Sequence, residues 1–437
     1  MNVFIKDYGI VPNTEEVLHT KIQKAIDDCS NSGGGTIFFE PGTYRIGTIY
    51  LKDNVYLNIP PRCVLKGSDN IEDYNKADAW VQNRDCPTEY ANGAHLIVGL
   101  EVKNCGLMGG GIIDGNGKHF GWKNEVGFSR PSQMVYFCEC ENVRIQNLEL
   151  LNSTYWTCFI FGCDKVFITG IRIKNNPEIS NGDGIDIDSS SKVVVSDCII
   201  DSQDDCITFR NANTALKNNT KILEDVTVTN CQLRTAGCNA MRIGIGRTGT
   251  IKNCLVSNVV IRESAKGVCM EGRYHFNTDD GPGTHIENIS FDNIYIDAKL
   301  PFFIASHCYG MWDCYCPDIK NIRFNNVTSV SDHNVVIQAT EKTVVENISF
   351  SNCDFTFRGV PAYVDKYGYS EWDYKTSSAG FYVANAKNVR FNNVQVHIED
   401  ENSPMDKGVI NTNSDINYLC FRADKAGKIV EEKGTLN

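Results

Sequence analysis

The sequence predicts an all-β protein in which short parallel strands coil about a common core, with a capping helix ahead of the first coil. Three observations predict this fold: a degenerate repeat of strand-like segments, turn residues instead of helices between the copies, and one amphipathic stretch near the N-terminus. Strands this short are stable only when copies stack on one another, so the repeat itself favours a solenoid.

The repeat runs onward from about residue 50. Each copy places Asn, Asp or Lys before a β-branched segment that alternates with period two, so apolar side chains face one side and polar ones the other. The copies are mostly separated by about 23 to 35 residues, the spacing of stacked supersecondary units. The clearest copies span residues 142–148, 165–171, 225–231, 288–294, 321–327, 347–353 and 388–394.

The turns between copies contain Asn, Gly and Asp and no helical pattern. Their composition argues against leucine-rich repeats and against βαβ folds. Asn suits such turns because its side chain bonds to neighbouring backbone and tolerates the left-handed region. A coil of parallel strands, with several short strands in each turn, is the remaining solution.

Residues 14–29 predict the capping helix, with Glu15 and Glu16 in its first turn and three glycines, Gly33 to Gly35, ending it. Beyond residue 403 the repeat is lost. We therefore predict a single domain over residues 1–437, with the N-terminal cap and first strands at 1–50, coils at 51–402 and a C-terminal cap at 403–437. The apolar face of the helix comprises Val17, Leu18, Ile22, Ala25, Ile26 and Cys29.

The formal net charge of −12 argues against nucleic acid and acidic membranes as partners. The N-terminus lacks the pattern of a secretory signal, and no apolar run approaches the roughly 20 residues that span a bilayer. We therefore expect a cytoplasmic protein. Its 19 cysteines are odd in number and lie mostly in strand-like runs, which predicts reduced core residues and not disulfides.

Two further segments carry residues with functional potential. His307, Cys308, Cys314 and Cys316 have the residue types of a zinc site, but their spacing matches no paired Cys-x-x-Cys knuckle, so we predict no metal and no cofactor. Residues 358–378 carry four tyrosines and Trp372. They predict either a stacking platform for sugar rings or a long loop packed on the flank.

One repeat differs from the others because its outward positions are acidic. It contains Asp183 within residues 181–188, and one coil later Asp204 and Asp205. Stacked strands lie about 5 Å apart, so these carboxylates would converge, as glycoside hydrolysis requires. A structural aspartate ladder or a calcium site is the alternative, but adjacent Asp204 and Asp205 in an apolar strand are costly without a function.

At these residues the sequence resembles glycoside hydrolase family 28, the polygalacturonase family, over residues 5–400. Asn181-Gly182-Asp183 matches the family's Asn-x-Asp motif, and Gln203-Asp204-Asp205-Cys206 its Gly/Gln-Asp-Asp-Cys motif. Residues 110–117 and the segment Asn152-Ser153 with Trp156 are similar to two further family segments. The resemblance implies a right-handed parallel β-helix, the pectin-lyase-like solenoid.

The resemblance also implies roles for the three aspartates. Asp204 would be the general acid, while Asp183 and Asp205 would position and activate water in an inverting displacement. Such a mechanism predicts carboxyl groups about 6.5–9.5 Å apart.

Two family motifs are altered in this chain. Cys238 stands where the family has the histidine of Gly-His-Gly, and Cys269 and Glu271 stand at the arginine and lysine of Arg-Ile-Lys. A subsite built this way would repel uronates and could grip the hydroxyls of a neutral sugar through Glu271. Arg242 and Arg273 either restore positive charge or form surface ion pairs. The residues predicted to bind substrate are Asn181, Gln203, Cys238, Asn239, Arg242, Glu271, Arg273, His275 and Trp156.

The function predicted from these features is that of a glycosidase, an inverting and exo-acting hydrolase of plant-derived oligosaccharides of pectin type or neutral composition. The partner is an oligosaccharide substrate. The first alternative is a β-helix uronate lyase or epimerase, with Arg242 or Arg273 taking the C5 proton. The second is an inactive carbohydrate-binding β-helix that lost activity with the histidine and the basic pair.

Overall fold

The computed structural model describes residues 1–434 except 77–78, 84–91, 121–129, 247, 272–282, 307–316 and 360–377. By their internal contacts the residues form two compact units. Unit 1 comprises Met1–Ile207 with Asn213–Ile222, and unit 2 comprises Thr208–Ala212 with Leu223–Asn437. Whether they make up the predicted single domain stays a prediction.

Unit 1 is built from short strands with few helices. Its α-helices are α1 (His19–Asn31) and α2 (Gly117–Phe120), and its 3₁₀ helices include Ile5–Tyr8, Ile71–Asp73, Val81–Asn83 and Asn213–Ala215. Its strands are β1 (Asn2–Phe4), β2 (Gly35–Phe38), β3 (Gly42–Ile46), β4 (Ile49–Tyr50), β5 (Val55–Asn58), β6 (Cys63–Gly67), β7 (Ile97–Leu100), β8 (Lys103–Met108), β9 (Ile112–Asp114), β10 (Val135–Cys138), β11 (Glu141–Gln146), β12 (Glu149–Leu151), β13 (Cys158–Phe161), β14 (Asp164–Thr169), β15 (Arg172–Lys174), β16 (Ile185–Asp188), β17 (Ser191–Ser196) and β18 (Ile199–Ser202).

Unit 2 contains longer strands in which neighbouring segments of a coil run together. After β19 (Ile207–Arg210) come β20 (Leu223–Thr229), β21 (Gln232–Thr235), β22 (Asn239–Ile245), β23 (Thr250–Glu271), β24 (His285–Ala305), β25 (Ile319–Ser331), β26 (Val335–Gln338), β27 (Val345–Phe357), β28 (Ala379–Ala384), β29 (Lys387–Ile398), β30 (Lys407–Thr412), β31 (Ile416–Lys425) and β32 (Lys428–Lys433).

Three strands form each coil in the middle of unit 1, and each strand pairs in parallel with its equivalent one coil away. β10 pairs with β7 and β13, β11 with β8 and β14, and β12 with β9 and β15. The inward side chains of one coil, such as Val143, Ile145 and Leu150, are fully buried. Period-two alternation therefore produces the predicted parallel coil.

The turn residues adopt the conformation that the repeat predicts. Asn142, Asn288 and Asn347 have φ between 53° and 59°, in the left-handed region. Their side chains also stack between coils: Nδ2 of Asn142 donates to Oδ1 of Asn104 at 2.8 Å, and Nδ2 of Asn347 donates to Oδ1 of Asn321 at 2.9 Å. These Asn–Asn hydrogen bonds between coils satisfy polar groups of the side chains in the turns.

The capping helix is confirmed, but its predicted start is wrong. Helix α1 begins at His19, so Glu15 and Glu16 precede it, and its first turn contains no acidic residue. Val17 instead forms a bridge with Arg45. The helix covers the exposed edge of a strand, because Nε2 of Gln23 donates to the Tyr50 carbonyl at 2.9 Å and the Tyr50 N–H donates back to Oε1 at 2.8 Å.

Coiling continues past the predicted boundary at residue 403. Strand β30 pairs in parallel with β28, and β31 pairs in parallel with β29. Only β32 departs, because it turns back and pairs antiparallel with β31. The repeat is harder to read here because exposed positions such as Leu419 and Ile429 blur the alternation.

The interior of the coils contains reduced cysteines, as predicted. Cys63, Cys254 and Cys353 are free, buried thiols. Burial raises the pKa of Cys63 and of Cys254 to about 12, so these thiols are poor nucleophiles near neutrality. Within the described residues, no helix has the length and apolar character needed to cross a bilayer.

Candidate active site

The first predicted carboxylate, Asp183, lies just ahead of β16. The N–H of Thr157 donates to the Asp183 carbonyl at 3.0 Å, and the N–H of Gly184 donates to the Asp205 carbonyl at 2.8 Å. In a parallel ladder these bonds place Trp156, Asp183 and Asp205 at equivalent positions on three successive coils. The backbone of Asp183 therefore lies one strand spacing, about 4.8 Å across the sheet, from that of Asp205.

The other two carboxylates, Asp204 and Asp205, lie in the bend after β18. An oxygen of each carboxylate lies within 4.8 Å of the other. The Asp204 N–H donates to the Gly182 carbonyl at 3.3 Å, and the Asp205 N–H donates to Oδ1 of Asp204 at 3.0 Å. The backbone therefore places the three aspartates on adjacent coils. The oxygens of Asp204 and Asp205 lie closer together than the separation of about 6.5–9.5 Å that the sequence predicts between carboxyl groups.

All three aspartates are largely shielded from solvent. Asp183 is 5% exposed, Asp204 9% and Asp205 6%. Charges in such a site interact more strongly than charges in water, because the local dielectric is lower. The site thus brings several carboxyl groups together away from bulk solvent, as general acid and base chemistry on a glycosidic bond requires.

Two amide side chains hold the bends that carry the aspartates. Nδ2 of Asn175 donates to the Gly182 carbonyl at 2.9 Å and to Oγ1 of Thr157 at 2.8 Å. Oε1 of Gln203, a predicted substrate-binding residue, accepts from the Gly182 N–H at 3.4 Å. Gln203 therefore has a structural bond of its own, and Asn175 is a supporting residue that the sequence motifs did not indicate.

Gly184 is required by close packing between coils. A Cβ at this position would lie 2.3 Å from the carbonyl oxygen of Cys206, a contact that the rigid backbone cannot relieve. At Gly182 the nearest atom would be Cβ of Gln203 at 3.2 Å, a much milder contact. The glycine after the catalytic candidate Asp183 therefore lets two coils approach closely enough to bring the aspartates together.

The structure adds Arg130, which no motif indicated. This residue is 3% exposed and lies in the segment before β10. Its Nη1 donates to the Ser180 carbonyl at 2.8 Å, and its Nη2 donates to Oδ1 of Asn181 at 3.1 Å. Asn181 is half-buried, with φ of 58°, so this predicted substrate-binding residue is also anchored by an internal bond.

Four other predicted residues lie in unit 2. Glu271 is 1% exposed and forms a buried ion pair with Arg242, whose Nη1 also donates to Sγ of Cys269 at 3.3 Å. Cys238 is half-buried, and Asn239 donates to its Sγ at 3.5 Å. The negative charge of Glu271 is therefore compensated inside unit 2. The sequence predicted instead that this carboxylate would bind sugar hydroxyls. The difference arises because strand register sets Arg242 opposite Cys269, two residues before Glu271.

Lys266 is a second cation that sequence reasoning missed. It lies opposite Asn239 in the β22–β23 register, and its Nζ sits 5.6 Å from the centre of the Phe303 ring. Burial acts to lower its pKa, but the nearby Cys269 and Glu271 side chains outweigh that effect and raise the pKa above its ordinary value. Lys266 is thus held as a cation in unit 2, three residues before the altered motif.

Several predicted residues lie outside the described part of the chain. These are Arg273 and His275, the zinc-type residues His307, Cys308, Cys314 and Cys316, and the aromatic residues between 363 and 374. The predictions made for them stay predictions.

The model for glycosyl hydrolases family 28 matches residues 83–367, which is more than half of the chain. The chain belongs to this family. Family membership supports glycosidase activity, in agreement with the clustered aspartates.

Curated relatives of this family 28 chain include a probable endo-xylogalacturonan hydrolase A from Aspergillus fumigatus. It is 28% identical over 326 residues, covering 70% of this chain and 71% of that protein. Polygalacturonase-2 of Solanum lycopersicum is 26% identical over 305 residues, covering 65% of this chain and 60% of that protein.

Solved structures confirm the predicted right-handed parallel β-helix. The family 28 exopolygalacturonase of Yersinia enterocolitica has a TM-score of 0.69 at 18% identity, covering 96% of this chain and 78% of that one. The exopolygalacturonase of Thermotoga maritima has a TM-score of 0.66 at 17% identity, covering 82% and 87% respectively. At these identities the likeness concerns the fold.

In this family 28 chain, the outer face of the strands in unit 1 carries a row of side chains that ends at an aspartate. Strand register places Val98, Tyr136, Phe159 and Asp186 in line on successive coils. The first three are buried although they point out of the coil. Trp156, predicted to contact substrate, is 5% exposed and packs on Phe159 at 5.3 Å between ring centres.

Two segments cover this row. Trp80 lies 5.7 Å from the Tyr136 ring, and Leu216 packs on the same cluster from residues 213–222. That segment is tied down by ionic bonds, since Nζ of Lys217 lies 2.5 Å from Oε1 of Glu101 and the Lys217 N–H donates to Glu139 at 3.2 Å. We call Trp80 together with residues 213–222 the cover. It fills the outer face on the side of the coils that precede the aspartates.

His95 makes the cover sensitive to acid. Its ring stacks on Tyr136 at 4.4 Å, and Nδ1 lies 3.1 Å from the Gln133 carbonyl. Burial lowers the pKa of His95 from 6.5 to about 3. In the unfolded chain the ring would protonate near 6.5, so the stability from the neutral buried ring is complete above that pH and is lost as the pH falls toward about 3.

We expect this histidine to reduce the free energy of unfolding by about 1.4 kcal/mol per pH unit below 6.5. Urea unfolding at several pH values measures the free energy of unfolding, and its slope against pH should become shallower in His95→Leu. The half-exposed His119 provides the control, because His119→Leu should keep the wild-type slope. Equal slopes in wild type and His95→Leu would contradict the assignment.

Proposed function

We propose that this family 28 chain is an exo-acting, inverting glycosidase that trims pectin-type oligosaccharides. The observation that carries the proposal is the position of Asp183, Asp204 and Asp205 on adjacent coils, with the oxygens of the last two within 4.8 Å of each other. Inverting hydrolysis needs one acid and one base on opposite sides of the scissile bond, about 6.5–9.5 Å apart. The Asp204–Asp205 separation is shorter than that, so the inverting outcome rests on the motif resemblance and is tested by the configuration of the product.

In the proposed reaction Asp204 protonates the leaving oxygen, and Asp183 with Asp205 orients and deprotonates the attacking water. Their low exposure supports these roles, because charges in a shielded site interact more strongly than charges in water. The bend that carries Asp183 is fixed because Asn175 donates to the Gly182 carbonyl and the Gly182 N–H donates to Oε1 of Gln203. Fixed geometry is worth much of the rate enhancement in such sites.

Exo action is supported by the cover in unit 1. A long polysaccharide lying along the stacked coils would need an open face on both sides of the aspartates. On the side of the earlier coils that face is filled by Tyr136, Phe159 and Trp156, beneath the cover. A chain end can meet such a closed face, whereas the middle of a polymer cannot pass it.

A pectin-type substrate is supported by the relatives, which are named as xylogalacturonan hydrolases and polygalacturonases. The charges in unit 2 agree with an acidic sugar. Arg242 pairs with Glu271, so the carboxylate that the altered motif introduces is already neutralised within unit 2. A uronate carboxylate would therefore not face the repulsion that the altered motif alone suggests.

The test is a panel of oligogalacturonides, xylogalacturonan fragments and neutral oligosaccharides, with products followed by mass and by the anomeric proton signal. We expect a single small sugar from the earliest time points, released with inverted configuration. A spread of intermediate oligomers at early times would overturn exo action. An unsaturated product absorbing in the ultraviolet would indicate a lyase, and tight binding without turnover would indicate an inactive sugar-binding protein.

A further inference from the structure

Arg130 is a buried cation beside the loop that carries a catalytic candidate. Its guanidinium donates to the carbonyls of Ser180 and Thr154, at 2.8 and 3.2 Å, and to the side chain of Asn181 at 3.1 Å. It also lies over the ring of Tyr155, 4.8 Å from its centre. One side chain thus clamps the two residues that immediately precede Gly182 and Asp183.

A guanidinium that is 3% exposed is costly unless negative charge compensates it. Burial lowers the pKa of Arg130, and the charges of Tyr155 and Asp183 oppose that shift. The interaction is mutual, because a cation that is favoured by an anion favours that anion equally. Arg130 and Asp183 therefore stabilise each other's charged forms.

We propose that Arg130 is a positioning residue for hydrolysis, which fixes the Ser180–Asp183 bend and keeps Asp183 ionised so that it can act on water. The inference rests on the proposed function, because it takes Asp183 as a base. The Asn-x-Asp and Asp-Asp-Cys motifs described above do not include Arg130, and 53 positions of chain separate it from Asp183. It acts through Asp183 and is given no contact with substrate.

The charge balance around Asp183 makes this role testable by pH. Asp204 and Asp205 on the next coil and Asp186 on β16, the strand that begins after Asp183, are carboxylates that oppose ionisation of Asp183, whereas Arg130 favours it. Loss of the cation leaves only the opposing carboxylates among these groups. The acid limb of the kcat/KM profile should then move to higher pH.

The experiment compares Arg130→Met and Arg130→Lys in the full-length protein. For Arg130→Met we expect the acid limb to move up by about one pH unit and kcat to fall by about tenfold or more, with a smaller change in KM. Arg130→Lys keeps the charge but not the planar fork, so it should restore the acid limb while kcat stays low. The control is Arg144→Met, which removes an arginine 5.0 Å from the Phe167 ring on the flank of unit 1.

The outcomes separate this proposal from the proposed function. If wild type hydrolyses no member of the panel, the proposed function fails. If wild type is active and Asp183→Asn is not, but both Arg130 variants keep the wild-type pH profile, the role of Arg130 is overturned. Melting temperatures identify misfolding. Should Arg130→Met not fold, the kcat of Arg130→Lys decides, because that variant loses the planar fork that holds the Ser180–Asp183 bend, and a wild-type kcat would overturn the role.

Discussion

Asp204→Asn should reduce kcat by about 10²–10⁴-fold while leaving the fold intact, because the amide cannot donate a proton to the leaving oxygen. The change is nearly isosteric, so the bond that Ser202 Oγ donates to the Asp204 carbonyl and the bond that the Asp204 N–H donates to the Gly182 carbonyl should persist. Steady-state rates on the most reactive oligosaccharide of the panel measure it. KM should change little, since the substitution removes an interaction made in the transition state.

The matched control is Asp197→Asn, seven residues earlier on the flank of unit 1. Asp197 has φ of 57°, and Asn147 occupies a similar left-handed turn with φ of 54°. Asparagine is therefore suited to that conformation, and Asp197→Asn should keep full activity. Full activity in Asp204→Asn would refute its role as the acid, whichever sugar is cleaved.

Phe350→Ala should lower the free energy of unfolding by about 3–5 kcal/mol, since it opens a cavity in a packed aromatic column. Phe350 is fully buried and stacks between Phe324 and Phe391, with ring centres at 4.7 and 5.7 Å. Phe381 packs against it edge-on at 5.3 Å. Coils in a solenoid depend on their neighbours, so the loss should propagate to adjacent coils.

Chemical denaturation followed by circular dichroism measures this loss, with Leu255→Ala as the control. Leu255 is 42% exposed on β23, and its truncation should change stability by no more than about 0.5 kcal/mol. Similar denaturation midpoints for Phe350→Ala and Leu255→Ala would show that the aromatic column does not stabilise unit 2.

The parallel coil and its turns were predictable because the signals are local. Residues such as Asn142 and Asn347 precede alternating segments, and the left-handed turn that each adopts follows from the side chain itself. The start of α1 was misjudged because apolar spacing cannot separate Val17, which bridges to Arg45, from Leu18, the residue before the helix. The spacing of apolar residues does not distinguish a residue that forms a strand bridge from one in the first turn of a helix.

Within the site, the sequence alone indicated Asp183, Asp204 and Asp205, because their spacing matches one coil of the repeat. The ion pair between Arg242 and Glu271 could not be predicted from the sequence, since it depends on strand register. Gln203 was expected to face substrate, yet its amide bonds to the Gly182 backbone. The direction in which a polar side chain turns depends on neighbours that are remote in sequence.

The coil, its turns and the three aspartates can be recognised from the sequence, because each depends on residues within one or two repeats. Tertiary structure alone decided that Arg130 clamps the Ser180–Asp183 bend, that Lys217 ties residues 213–222 to Glu101, and that the outer face before the aspartates is closed. These contacts join residues roughly 50 to 116 positions apart in sequence. Such residues become neighbours only when the coils stack, so no local sequence pattern predicts the contact.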